Sequence, residues 1–206
     1  MRNTTSGLKI SRALLYIRTL EDLIKEKRFL VSSGELARLT GISDVKIRKD
    51  ISKFGKVGTP RVGYDTAELK NTLEDFVLQK DVIRIAVFGA GNLGTAIMKY
   101  PGFRGGKLNI VAAFDKASGK IGRTINGVRI YPVERAPAII KKRRIGLGVI
   151  AVPAEHSQEV ADLMVLSGLK GIINFSPVSI SVPKKVSIRD IDLSIEFLSL
   201  YCETRS

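Results

Sequence analysis

Residues 83–94 read Ile83-Arg84-Ile85-Ala86-Val87-Phe88-Gly89-Ala90-Gly91-Asn92-Leu93-Gly94. After a helical stretch come Ile110-Val111-Ala112-Ala113-Phe114-Asp115. An apolar run, a G-x-G-x-x-G turn, a helix, a second apolar run and a terminal acid predict a dinucleotide-binding β-α-β unit. Gly89 permits the tight turn, Gly91 lets the backbone approach a pyrophosphate, and Gly94 lets the helix pack on the sheet. Ala90, Asn92 and Leu93 complete the turn, and the helix start over 92–95 offers N–H groups and a positive dipole end to phosphates. Asp115 falls where a carboxylate accepts hydrogen bonds from an adenosine ribose. About eighty residues precede this unit.

The chain has 206 residues, enough for one large domain or two small ones. No apolar run approaches the ~18–20 residues of a membrane span, and the charged N-terminus does not read as a signal peptide. The single cysteine, Cys202, excludes an internal disulfide, and a reducing cytoplasm is the expected compartment. A net charge of +14 points to a polyanionic partner. Residues 1–80 carry a net +6 and residues 81–206 a net +8, so charge alone does not locate the contact.

Residues 11–29 space Ala13, Leu14, Ile17, Leu20, Leu23 and Ile24 as a helix. Ser32 and Glu35 form a capping box for a short helix, Leu36 to Leu39. Thr40-Gly41-Ile42 turns the chain, and Ser43 or Asp44 caps a third helix, Val45 to Phe54. This is helix-turn-helix spacing, whose second helix enters a major groove. Its exposed face would carry Lys46, Arg48, Lys49 and Lys53, suited to phosphates and guanine edges. The alternative is a solvated basic face. Gly55 to Tyr64 suggests a hairpin, the wing of a winged helix, with Arg61 at its tip placed to enter a minor groove. Asp65 and Glu68 cap a linker helix over Ala67 to Gln79.

The stretch Ile47-Arg48-Lys49-Asp50-Ile51-Ser52-Lys53-Phe54-Gly55, followed by Val62-Gly63-Tyr64, closely resembles the recognition helix and wing of the Rex redox-sensing repressors. Tyr100-Pro101-Gly102-Phe103, Val152-Pro153-Ala154-Glu155-His156, residues 168–177 and Asp190-Ile191-Asp192-Leu193 resemble further signatures of that family, in the same order. The family's pattern has departures here: the wing arginine is shifted by one to Arg61, Lys53 stands for a tyrosine, and Leu193 for a phenylalanine of some members. The resemblance implies an N-terminal winged-helix DNA-binding domain (1–80), a Rossmann NAD(H)-binding domain (81–190) with a doubly wound, mostly parallel sheet, and a C-terminal helix (191–206) swapped between protomers. It implies a homodimer on palindromic operator DNA that NADH releases, with NAD+ a weak competitor. DNA contacts would then come from Arg12, Ser33, Lys46, Arg48, Lys49, Lys53 and Arg61. Arg18 and Asp192 would form an inter-domain switch. Tyr100, Val152, Pro153, Asn174 and Phe175 would line the nicotinamide pocket.

Read on their own terms, Gly119-Lys120-Ile121-Gly122 makes a turn that flanks the adenine, and Asp115 repels a ribose 2′-phosphate, with Lys116 beside it opposing that repulsion. NAD(H) is therefore the expected cofactor, sensed and not turned over. Pro153 would otherwise be a strand terminator and Phe175 a core aromatic. His156, the only histidine, lacks the company of a proton-transfer set, and no metal site is expected. Lys141-Lys142-Arg143-Arg144 reads as a solvated helix end. The tail places Ile195, Leu198 and Cys202 on one helical stripe, apolar enough to need a partner. That partner is a second copy or the chain's own α/β domain. Three rivals remain: a small NAD-dependent oxidoreductase with a helical appendage, a CoA-binding α/β module, and a DNA-binding paralogue that has lost its sensor.

Overall fold

A computed structural model describes residues 4–53, 58–59, 62–78, 82–103 and 106–205, without the side chains of 4–9 and 78. The chain divides into two compact units, Met1–Asp81 and Val82–Ser206.

The first unit runs α1 (Thr4–Lys25), β1 (Leu30–Val31), α2 (Ser33–Thr40), α3 (Asp44–Ile51), β2 (Tyr64–Asp65) and α4 (Thr66–Leu78). Tyr16, Ile17, Leu20 and Leu23 of α1 bury against Leu36, Ile47, Ile51, Leu69 and Leu73 of the other helices. Leu14 and Ile24, apolar positions of the same helical pattern, are exposed. The α2–α3 turn forms as expected. Ser32 Oγ accepts the Glu35 N–H at 3.1 Å, and Gly41, at φ +71°, donates its N–H to Ala37 O. Helix α1 ends four residues before the expected Phe29. Arg28 N–H returns to Leu23 O and Lys27 N–H to Ile24 O, with Lys27 at φ +59°. This is a Schellman-type stop in which lysine takes the place glycine usually marks. Strands β1 and β2 pair antiparallel, a pairing absent from the expected hairpin. Of that hairpin, the Thr59–Gly63 bridge is described. Residues 54–57, Pro60 and Arg61 lie outside the described residues.

The second unit runs β3 (Ile83–Phe88), α5 (Asn92–Lys99), β4 (Leu108–Asp115), β5 (Thr124–Ile125), β6 (Val128–Pro132), α6 (Ala136–Arg143), β7 (Leu147–Ile150), α7 (Ser157–Leu166), β8 (Gly171–Asn174), β9 (Ser187–Asp190) and α8 (Leu193–Glu203). Seven strands form one sheet in the order β5-β6-β4-β3-β7-β8-β9. Every pairing is parallel except β5 with β6. Both faces are apolar, as a parallel sheet requires. Ala86, Phe88, Ala112 and Phe114 meet Ile139, Ile140, Val160 and Met164 of α6 and α7. Ile85, Val87, Ile110 and Ala113 point the other way, with Met98 of α5. The strand order reverses about β3, whose neighbours β4 and β7 lie on opposite sides. In open α/β sheets this switch point, at the carboxyl ends of the strands, is where ligands bind.

Candidate functional site

The glycine turn leaves β3 at that switch point. Gly89 sits at φ +98°, and a Cβ on it would lie 2.3 Å from Ala151 O; a Cβ on Gly94 would lie 1.8 Å from Gly89 O. The fold therefore demands both glycines. Gly91 differs: its φ is −77°, and a Cβ there would meet nothing within 4 Å. Gly91 is also the N-cap of α5, with no side chain capping the helix. An open, uncapped helix start with no Cβ in the way fits a phosphate group.

Asp115 closes the other side. Its Oδ2 accepts the Ala90 N–H at 2.8 Å and its Oδ1 the Ala117 N–H at 2.8 Å. Lys120 Nζ stands 3.1 Å from Oδ2. Burial pushes this carboxyl up, but the two N–H groups and the ammonium outweigh it and hold it below its ordinary value. Asp115 is thus an anchored anion. A cavity of about 400 Å³ opens here, bringing together Gly89, Gly91, Asp115, Lys116, Lys120, Val152 and Pro153 from β3, β4 and β7. Ala117, Val133, His156 and Val160 also line it, and sequence reading had not placed them in a nucleotide site. The cavity wall is mostly carbon, so it suits an adenosine moiety with its diphosphate at the α5 N-terminus.

Beyond the glycine turn, four expected cofactor residues stand outside that lining. Ile121 is half-buried beyond it. Tyr100 is 57% exposed, with its ring 5.6 Å from that of Phe103. Phe175 packs against the sheet face of Ile85 and Val87. Asn174 is fully buried, and its amide is spent inside the fold. Its Nδ2 donates to Val178 O and to Asp190 Oδ1, and its Oδ1 accepts the Ser176 N–H. A buried amide must satisfy its own donors and acceptor, so Asn174 ties β8 to β9. Of the remaining turn residues, Ala90 is buried and holds Asp115 through its N–H, while Asn92 and Leu93 are exposed in the first turn of α5.

In the first unit, α3 turns Ile47, Asp50 and Ile51 inward. Lys46, Arg48 and Lys49, with Lys53 just beyond, face solvent. Arg48 pairs with Asp44 one turn back at 2.9 Å, half-exposed. Ser33 begins α2, half-buried. Arg12 does not face outward with these residues. Its Nε lies 2.5 Å from Asp50 Oδ2 and its Nη2 3.1 Å from Oδ1, so it grips α3 from α1. Tyr16 Oη donates to the same carboxylate at 3.2 Å. Burial, then Asp50, pushes the Tyr16 hydroxyl up to about 12, so it stays a donor. Burial raises the Asp50 carboxyl, yet Arg12 and Tyr16 prevail and hold it below its ordinary value. Asp50 is therefore the bolt that fixes the angle of the basic helix.

Replacing Asp50 by Ala should cost about 2–3 kcal/mol, somewhat below the usual loss for a broken buried pair, because Arg12 retains some solvent access. Since the folded-state pKa is depressed, this stabilisation is in place above pH 3.8 and is lost as pH falls through the folded value. Acid titration of unfolding in the native chain and in Asp50→Ala checks both points: the gap between the two stabilities should begin to close as pH falls below about 4.

The curated protein "Redox-sensing transcriptional repressor Rex" of Pelotomaculum thermopropionicum is 42% identical over 186 residues, covering 90% of this chain and 87% of its own. The chain belongs to the Rex family. The Rex of Carboxydothermus hydrogenoformans is 38% identical over 90% of this chain and 89% of its own. Among solved structures, RSP in complex with beta-NAD+ and operator DNA matches with a TM-score of 0.87 at 31% identity, over 98% of this chain and 94% of that one. RSP in complex with beta-NADH matches at 0.85 and 30%, over 98% and 95%. The family described as "Putative DNA-binding protein N-terminus" matches residues 8–52, and "CoA binding domain" matches residues 80–178. The first spans α2 and α3, and the second spans the glycine turn. No described helix is long and apolar enough to cross a membrane.

Proposed function

We propose that this chain represses transcription as a homodimer on palindromic operator DNA and is released when NADH occupies the cleft around Gly91 and Asp115. The observation that carries this reading is its whole-chain likeness to RSP, a Rex-family repressor solved with beta-NAD+ and operator DNA and also with beta-NADH. The basic face of α3, bolted by Asp50, contacts the DNA together with Arg61, Ser33 and Lys53. The adenosine diphosphate end, common to both redox forms, lies against Gly91 and Asp115. Discrimination falls to the apolar surface of Val152 and Pro153. There NAD+, whose nicotinamide carries one more positive charge than that of NADH, loses more hydration. Either form shifts the equilibrium between DNA-bound and released protein only through its own difference in affinity for those two states.

The α8 helix supports the dimer. Leu193, Ile195, Phe197, Leu198, Leu200 and Tyr201 are each more than half exposed, and no residue of α8 is buried. An apolar groove of about 230 Å³ runs beside β7, β8 and β9, lined by Leu147, Val149, Ile173 and Ile188. A helix swapped from a second copy answers both. Asp192 caps α8, accepting the Ser194 N–H at 2.9 Å. Its pairing with Arg18 as an inter-domain switch belongs to this proposal, as does a cytoplasmic location.

A bound nicotinamide cofactor supplies only a redox-dependent charge, and no turnover is assigned to His156, although it lines the cleft. Against the CoA reading stands Asp115: CoA carries a phosphate on its ribose, which an anchored carboxylate repels. Stoichiometric NADH binding without consumption, in the presence of small aldehydes and ketones, is the expected result. Steady NADH consumption would instead favour an oxidoreductase.

A further inference from the structure

The rim of the cleft holds a second ion pair, not needed by the fold, which bears on the ligand class. Lys116 leaves β4 directly after Asp115 and lines the cavity. Its Nζ stands 2.9 Å from Oε2 of Glu159, in the first turn of α7. The two side chains are 50% and 67% exposed. Such a surface pair contributes little to stability; its effect lies in the charge it presents to a ligand. Lys120, the other lining lysine, is already paired with Asp115.

We infer that Glu159 is a specificity-determining residue: by occupying Lys116 it leaves the ribose edge without a free cation and so excludes adenosine nucleotides that carry a ribose phosphate. This rests on the cofactor reading above and deepens it. A ribose monophosphate is close to a dianion at neutral pH, with a second pKa near ~6. Accommodating it takes a cation without a competitor. Among the described residues the rim offers two ammonium groups against two carboxylates, Asp115 with Lys120 and Glu159 with Lys116. The phosphate would have to displace one carboxylate while facing the other. The same exclusion applies to a 2′-phosphate, as in NADPH, and to a 3′-phosphate, as in CoA. An unphosphorylated ribose needs no cation and is indifferent to the second pair.

The test is a fluorescence titration of the full-length protein with NADH and with NADPH at fixed ionic strength, since screening weakens the effect. Glu159→Gln should tighten NADPH binding about 3–10-fold, the size expected for removing one charge several ångströms from a dianion in high dielectric, while NADH affinity changes less than about twofold. Glu159→Gln combined with Lys116→Ala should lose the gain for NADPH, which a merely structural role for Glu159 would not produce. The inference is overturned if Glu159→Gln leaves the NADPH/NADH ratio unchanged, or if the gain survives without Lys116. Failure of the native chain to bind NADH at all would overturn the cofactor reading itself, a distinguishable outcome.

Discussion

Gly91→Asp is expected to remove nucleotide binding without harming the fold. The backbone at Gly91 is extended, at φ −77° and ψ −161°, which any residue adopts. A Cβ there meets nothing within 4 Å. Gly91 is the N-cap of α5, and aspartate ranks among the best N-caps, so stability should stay level or rise by a few tenths of a kcal/mol. The new carboxylate, however, occupies the space and the dipole that a diphosphate needs. NADH affinity should fall at least about 100-fold, close to 2.8 kcal/mol. Gly94→Ala is the contrast, because its methyl would meet Gly89 O at 1.8 Å and break the turn itself. Calorimetry of NADH binding beside a thermal melt separates the two. Near-native NADH affinity in Gly91→Asp would remove the phosphate from this helix end.

The second large effect belongs to α3. Lys46, Lys49 and Lys53 are exposed and in no described ion pair, whereas Arg48 is shared with Asp44. Changing all three lysines to Ala removes six cations from the dimer and should lower operator affinity at least about 100-fold near physiological salt and flatten the slope of log K against log salt by about 5, at ~0.9 per phosphate contact. Stability should hardly move, since none of the three is buried. A salt series on native and triple-variant protein reads both quantities. An unchanged slope would place the phosphate contacts on another surface.

Local chemistry explains which features were legible in the sequence. The glycine turn, the Ser32 cap, Gly41 and the Asp65 cap are carried within a few residues each, and all four form as read. Where the deciding partner is distant, the local sequence carries no sign of it. Arg12 looks like a free cation until Asp50, 38 residues on, is brought against it. Asn174 looks like a pocket residue until Asp190 and Val178 take its amide. The end of α1 carried no signal because a lysine, not a glycine, takes the left-handed position. Strand β6 did carry one: Val128 and Ile130 are buried while Arg129 between them is exposed. That alternation is the mark of a strand, and following it to its carboxyl end would have found Val133 in the cleft. The apolar stripe of the tail is legible in the sequence, and no residue of α8 is buried within the single chain.

The central claim, that occupancy of the Gly91–Asp115 cleft controls the basic face of α3, is tested most directly by titrating the native protein against palindromic operator DNA at one stated salt concentration, first with NAD+ and then with NADH. Tight binding that NAD+ leaves in place and NADH weakens at least about tenfold, a difference of ~1.4 kcal/mol between the two DNA-bound states, is the predicted result. Operator affinity that is the same with either nucleotide would contradict it.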